Sequence, residues 1–180
     1  DYVGALAIYM TYFIDPFICE THNYYFAAAH KFINDNTMVS YIEYVSRIIN
    51  FEKGKIMPLI HDFNHKQVLR CCHYTLVANN YYYPKLLETF KELLEKNDIE
   101  HIKMLYSIII EIFNSGQPEE TGEFIKLQVI TVDIKDFTDA YFEHIKSFGL
   151  SVIANMNHSE VNEKPAIFVE QISDIMQKYQ

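Results

Sequence analysis

Residues that break regular structure are scarce: the 180-residue chain carries five glycines and five prolines. That scarcity excludes a loop-dominated chain and favours long regular elements. Tryptophan is absent, whereas there are fourteen tyrosines and thirteen phenylalanines. The core must therefore be largely aromatic, with many hydroxyls that need a partner or water. Cysteine is rare as well, with three residues, of which Cys71 and Cys72 are adjacent. Three thiols make no disulfide framework; free, buried thiols in a reducing compartment, cytoplasmic or nuclear, are expected. Positive charge is also short, and the net charge of −9 makes a nucleic-acid backbone an unfavourable partner. No apolar run reaches membrane-spanning length: the longest mostly apolar stretch without a charge, Tyr2 to Ile14, contains Thr11 and three tyrosines. No signal-peptide pattern opens the chain and its first residue is not Met, so a piece of a longer polypeptide is expected.

Apolar content of 49% and charged content of 22% suit a well-packed core, in one domain or in parts of two repeats. The chain is organised around Leu86 to Phe113. Leu86, Leu87, Phe90, Leu93 and Leu94 recur at helical spacing, and so do Ile102, Leu105, Ile109 and Ile112. Lys96-Asn97-Asp98 divides the two stripes, with Asp98 placed to cap the second. Two apolar stripes around a capping elbow predict an antiparallel helical hairpin.

Further helices are predicted on either side. Residues 2–14 read as the end of a buried helix, and Asp15-Pro16 as the cap and first position of another, running to about Ile33. Asn34 to Thr37 breaks the chain and caps a helix from Met38 to about Met57, with Val39, Ile42, Val45, Ile49 and Ile56 inward and an end near Gly54 and Pro58. Asp62 or Asn64 caps His65 to Val77, where Val68, Leu69, Cys72 and Leu76 share a side; Asn79-Asn80 ends that helix and Tyr83-Pro84 opens the hairpin. Residues 114–134 interrupt the helical pattern with a solvated loop and a β-branched stretch, Leu127 to Val132. Helix resumes from Asp136 to Phe148, with Phe137, Ala140, Tyr141, His144 and Ile145 inward and Gly149 as its stop. Pro165 then opens a last helix after a polar connection. The expected fold is all-α, a curved stack of antiparallel helices.

Zinc-ligand residue types occur as Cys19 and His22, His61 and His65, and Cys71-Cys72-His73. Adjacent helical residues point about 100° apart, so Cys71 and Cys72 cannot easily share a metal, and no closed four-ligand series exists. Packed cysteines and capped or surface histidines are the expectation, with no metal and no cofactor. A Cys72–His144 nucleophile pair would need an electropositive, open setting that an apolar stripe does not offer. Glu88, Glu92 and Glu95 read as one solvated face, and no phosphate loop or hydrolase motif is present, so neither a catalytic residue nor a small-molecule partner is expected. The possible partner surface is Tyr81 and Tyr82, with Gln117, Glu119 and Glu120 in the loop. For the tyrosines, plugging the joint between two bundles is the favoured role.

Taken in order, these elements resemble the cullin repeat. Phe17-Ile18, Thr21, Tyr24-Tyr25 and Phe32-Ile33 resemble its entry helix; Tyr41-Ile42, Val45, Arg47-Ile48, Glu52 and Leu59-Ile60-His61 resemble the next element. Asn64, Cys72 and Leu76 follow at matching positions. Phe90, Leu93-Leu94, Glu100, Ile102, Leu105-Tyr106 and Ile112 fit the hairpin without a gap. Phe142 to Ile145, Gly149-Leu150, Phe168-Val169 and Tyr179 extend the likeness to the end. Pro58, Lys55 and His101 depart from the family pattern, and residues 115–134 look like an insertion.

The resemblance implies residues 1–80 as the end of one repeat and 81–180 as the next. It also implies a role as part of the rigid stalk of a cullin-RING ubiquitin ligase, a non-catalytic scaffold. Its partners would be proteins, a substrate adaptor and a RING subunit, each bound through regions outside this chain. A cullin-domain binding module without the RING-binding half, and an unrelated helical tethering protein, are the alternatives.

Overall fold

The computed structural model describes residues 2–115 and 133–155. Among them every regular element is helical: α1 (Tyr2–Tyr9), α2 (Asp15–Asp35), α3 (Met38–Phe51), α4 (His65–Leu76), α5 (Tyr83–Lys96), α6 (Ile99–Ser115) and α7 (Ile134–Asn155). The expected β-branched stretch Leu127 to Val132 and the Pro165 helix lie outside the described residues.

The hairpin forms as the sequence predicts. Asn97 takes the left-handed conformation (φ 54°), its N–H donates to the Leu94 carbonyl, and the Asp98 N–H donates to that of Leu93. Asparagine tolerates this conformation where most side chains do not, so it ends α5 as a glycine would. Asp98 then caps α6, accepting the His101 N–H at 3.3 Å. Leu86, Phe90, Leu93 and Leu94 of α5 and Ile102, Leu105, Ile109 and Ile112 of α6 are all buried.

Two expected boundaries differ, at Asp15-Pro16 and at Gly149. Asp15-Pro16 does not break the chain: α1 runs into α2 through a π turn, Met10–Ile14, in which the Asp15 N–H bonds the Met10 carbonyl. The wider turn gives the proline ring room that a regular α-turn lacks, so the helix continues past it. The helix from Met38 ends where expected: a π turn, Glu52–Ile56, carries α3 through Gly54 to Met57 and Pro58. Gly149 lies within α7, because glycine stops a helix only where the chain needs a left-handed residue. Asn64 takes the cap position of α4, as expected, without a capping side-chain bond, and His61 Nδ1 caps the short 3-10 turn before it by accepting the Phe63 N–H at 3.3 Å.

The main core is one cluster running from Tyr25 on α2 to Phe137 on α7, so packing is continuous across residue 80. A smaller cluster joins Ile14 and Ile18 to Ile60, Val68 and Cys71. Tyr41, Tyr82, Phe90 and Phe137 are the bulkiest fully buried side chains, the aromatic core that a chain without tryptophan requires. Tyr41 satisfies its hydroxyl by donating to the Leu76 carbonyl at 2.7 Å.

Asn79 ties the two halves of this core at the α4–α5 joint. Its Nδ2 donates to the carbonyls of Thr75 (2.8 Å) and Tyr74 (3.3 Å), while its Oδ1 accepts the N–H groups of Tyr82 (2.9 Å) and Tyr81 (3.0 Å). One side chain thus closes α4 and starts α5. Asn79→Ala is expected to cost roughly 2 kcal/mol, a capping residue plus hydrogen bonds that no neighbour replaces. Urea denaturation would measure it as a lower midpoint at unchanged slope.

Candidate functional site

The joint that Asn79 organises holds the tyrosines singled out above. Tyr81 is 41% exposed; Lys85 Nζ lies 3.7 Å above its ring, and the His30 ring is 5.6 Å away. Tyr82 is 0% exposed and packs on Tyr41 at 5.2 Å, so it is a core residue and not part of a partner surface. Their order explains the split: successive residues entering a helix point in different directions, and Tyr82 takes the inward one. Burial pushes the Tyr82 hydroxyl up to about 12. Gln117, Glu119 and Glu120 lie outside the described residues.

The residues with zinc-ligand chemistry take other partners. His22 Nδ1 is 2.8 Å from Thr75 Oγ1, His65 Nε2 is 2.9 Å from the Ile60 carbonyl, and exposed Cys19 lies 3.8 Å from Asn23 Nδ2. Cys71 and Cys72 are buried; desolvation pushes the Cys71 thiol up to about 11 and the Cys72 thiol further up. Neutral thiols are poor metal ligands and poor nucleophiles. Among the described residues no three His, Cys, Asp or Glu side chains gather into a metal-holding group. Cys72 and His144 face different surroundings: Cys72 senses Cys71 and Glu52, whereas His144 stands near Glu95 and stacks on Phe148 at 6.4 Å. Glu88, Glu92 and Glu95 are exposed, with Glu92 paired to Lys96 at 3.2 Å.

Polar pairings that the sequence does not disclose lie between the helices. Glu52, buried at the end of α3, accepts the Tyr25 hydroxyl proton through Oε1, and its Oε2 has no partner among the described residues. Its place in the stripe Val45, Ile49, Glu52, Ile56 was the available signal, since a lone carboxylate on an apolar face needs a buried donor. His73 is fully buried on α4, and neither ring nitrogen has a hydrogen-bond partner among the described residues; Glu111 Oε1 of α6 stands 3.6 Å from Nε2 and also pairs with Lys53. Arg70 Nε (3.0 Å) and one terminal nitrogen (2.6 Å) both donate to the Ser115 carbonyl, holding the last turn of α6. Tyr83 donates to Asp136 Oδ2 at 2.8 Å, holding the start of α7. These ties brace neighbouring helices.

Several large apolar side chains of the first two helices are exposed. Ile8, Tyr12, Phe13, Tyr24 and Phe26 are all exposed, Tyr12 to 79%. No helix among the described residues is long and apolar enough to cross a membrane. The arrangement offers braced helices and apolar faces, which suits holding proteins in place.

Comparison with known proteins accords with this geometry. The family model described as "Cullin alpha solenoid domain" matches residues 2–180. Cullin-1 of Dictyostelium discoideum is 23% identical over 174 residues, covering 97% of this chain and 20% of that protein. Cullin-2 of Caenorhabditis elegans is 21% identical over 176 residues, covering 98% of this chain and 19% of that protein. The chain thus spans about a fifth of the length of these relatives. No solved structure matches.

Proposed function

The chain belongs to the cullin family, and from that premise we propose that it is a segment of the N-terminal stalk of a cullin, the rigid scaffold of a cullin-RING ubiquitin ligase. In this role residues 1–80 end one helical repeat and 81–180 form the next. The segment has no catalytic residue of its own and works in the cytoplasm or nucleus. It holds the substrate adaptor and the RING module at a set distance, both bound through other parts of the parent protein. A stiff spacer raises the effective concentration of tethered substrate near the ubiquitin-conjugating enzyme, and a floppy one dilutes it.

The observation that carries this reading is the match to the cullin solenoid over residues 2–180. Its physical support is the unbroken core across residue 80, reinforced by the Lys53–Glu111 and Arg70–Ser115 ties between helices that would belong to successive repeats. A scaffold needs such cross-braces, because a hinge at the repeat boundary would let the two ends wander.

Co-purification of the full-length parent protein, scored by mass spectrometry, tests the assignment. Recovery of a RING-H2 subunit near one to one is expected. A clean preparation without that subunit would overturn the ligase reading and favour a cullin-domain binding module that lacks the RING-binding half.

A further inference from the structure

His101, in the first turn of α6, has a carboxylate at each ring nitrogen. Nδ1 is 2.8 Å from Asp98 Oδ2 at the α5–α6 elbow, and Nε2 is 3.2 Å from Glu43 Oε1 on α3. Ionised carboxylates only accept hydrogen bonds, and a neutral imidazole has a single N–H to give. Both contacts can be hydrogen bonds only when the ring is an imidazolium. We infer that His101 is a proton-dependent strut that ties α3 to the α5–α6 elbow while protonated and lets go of α3 when it loses its proton.

The two contacts are not equivalent, and this sets which one opens. Asp98 lies three residues away, also accepts the His101 backbone N–H at 3.3 Å, and caps the helix whatever the charge on the ring. Glu43 is fifty-eight residues away in sequence, and its side chain is 49% exposed, so water is at hand to replace it. The proton is therefore kept on Nδ1 and lost from Nε2. The neutral ring then presents a lone pair to Glu43, and the tie to α3 is exchanged for repulsion.

Among the described residues, Glu43 from α3 and Asp98 from the elbow are the charged groups acting on the ring. Both favour the cation, with Glu43 the larger influence, and they hold the imidazolium to a higher pH than a free imidazole would keep it. Release consequently falls at a higher pH than the discharge of a free histidine. His101 is also one of the positions at which this sequence departs from the cullin pattern. The strut acts on the packing of α3 against α6 and does not depend on what the parent protein assembles with.

Nuclear magnetic resonance on the 180-residue chain tests it. The His101 ring is titrated in the original sequence and in Glu43→Gln, and amide exchange in α3 and the first turns of α6, corrected for intrinsic rate, is compared at pH 6 and pH 8 with His101→Gln. The expected results are a His101 midpoint above 6.5 that falls in Glu43→Gln, and a loss of amide protection of about two- to tenfold at pH 8 that His101→Gln does not show. Both variants alter partly exposed side chains, so a retained circular-dichroism spectrum is expected. A midpoint at or below 6.5, a midpoint unmoved by Glu43→Gln, or equal loss of protection in His101→Gln would overturn the strut.

Discussion

Leu105→Asp is expected to unfold the hairpin and, with it, the cooperative core. Leu105 is 1% exposed on α6 and belongs to the cluster that runs from α2 to α7. Removing the leucine forfeits its burial and leaves a partly filled site, which in well-packed cores costs about 3–5 kcal/mol. The carboxylate adds a desolvation penalty, because the helical stripe around it, Ile102, Ile108, Ile109 and Ile112, is buried and offers it no donor. The sum is on the order of 5 kcal/mol or more, comparable to the whole stability of many domains. Thermal melting followed by circular dichroism should lose its sigmoidal transition; retained cooperativity would mean that Leu105 does not face the core. Leu105→Met keeps shape and polarity and should melt within a few degrees of the original chain.

The second large effect is acid destabilisation through His73. Burial without a hydrogen-bond partner holds its imidazole neutral, down to about 4; Glu111 works against this shift and Lys53 with it. An unfolded histidine titrates near 6.5, so between those values the unfolded chain binds a proton that the folded chain refuses. Stability is therefore full above about pH 6.5, falls as pH drops through the window, and levels off below about 4, for a loss on the order of 3 kcal/mol. His101 has the opposite sign. Its raised value contributes stability that is fully present below about 6.5 and is lost as pH rises through the folded-state value. Together the two histidines place an optimum near neutrality. Denaturant midpoints collected from pH 4 to 8 should show it. His73→Leu should remove most of the acid limb; an unchanged acid limb in that variant would show that His73 does not cause it.

What could be read from the sequence were features with a local cause. The hairpin followed from two apolar stripes and Asp98, because helical periodicity and capping depend on residues within a few positions of each other. The all-α class followed from the same periodicity and from the shortage of glycine and proline. The cullin resemblance, resting on that ordered series, led to the family match. Where local rules failed, a neighbour or an adaptable backbone had overruled them. Pro16 was absorbed by a π turn, and Gly149 lies inside a helix that simply continues.

Tertiary structure alone decided which polar residues meet. Tyr25 and Glu52 are twenty-seven positions apart, His101 and Glu43 fifty-eight, and Arg70 and Ser115 forty-five. No periodicity relates such pairs, since their approach depends on how whole helices cross. The same dependence placed Tyr82 in the core while its neighbour Tyr81 stayed at the surface. The amino-acid order determined which segments coil and which faces are apolar, because those follow from backbone sterics and local spacing. The charges of His73 and His101 were set by the crossing of α3, α4 and α6, because a proton's free energy depends on the dielectric and the partners that packing brings to the ring.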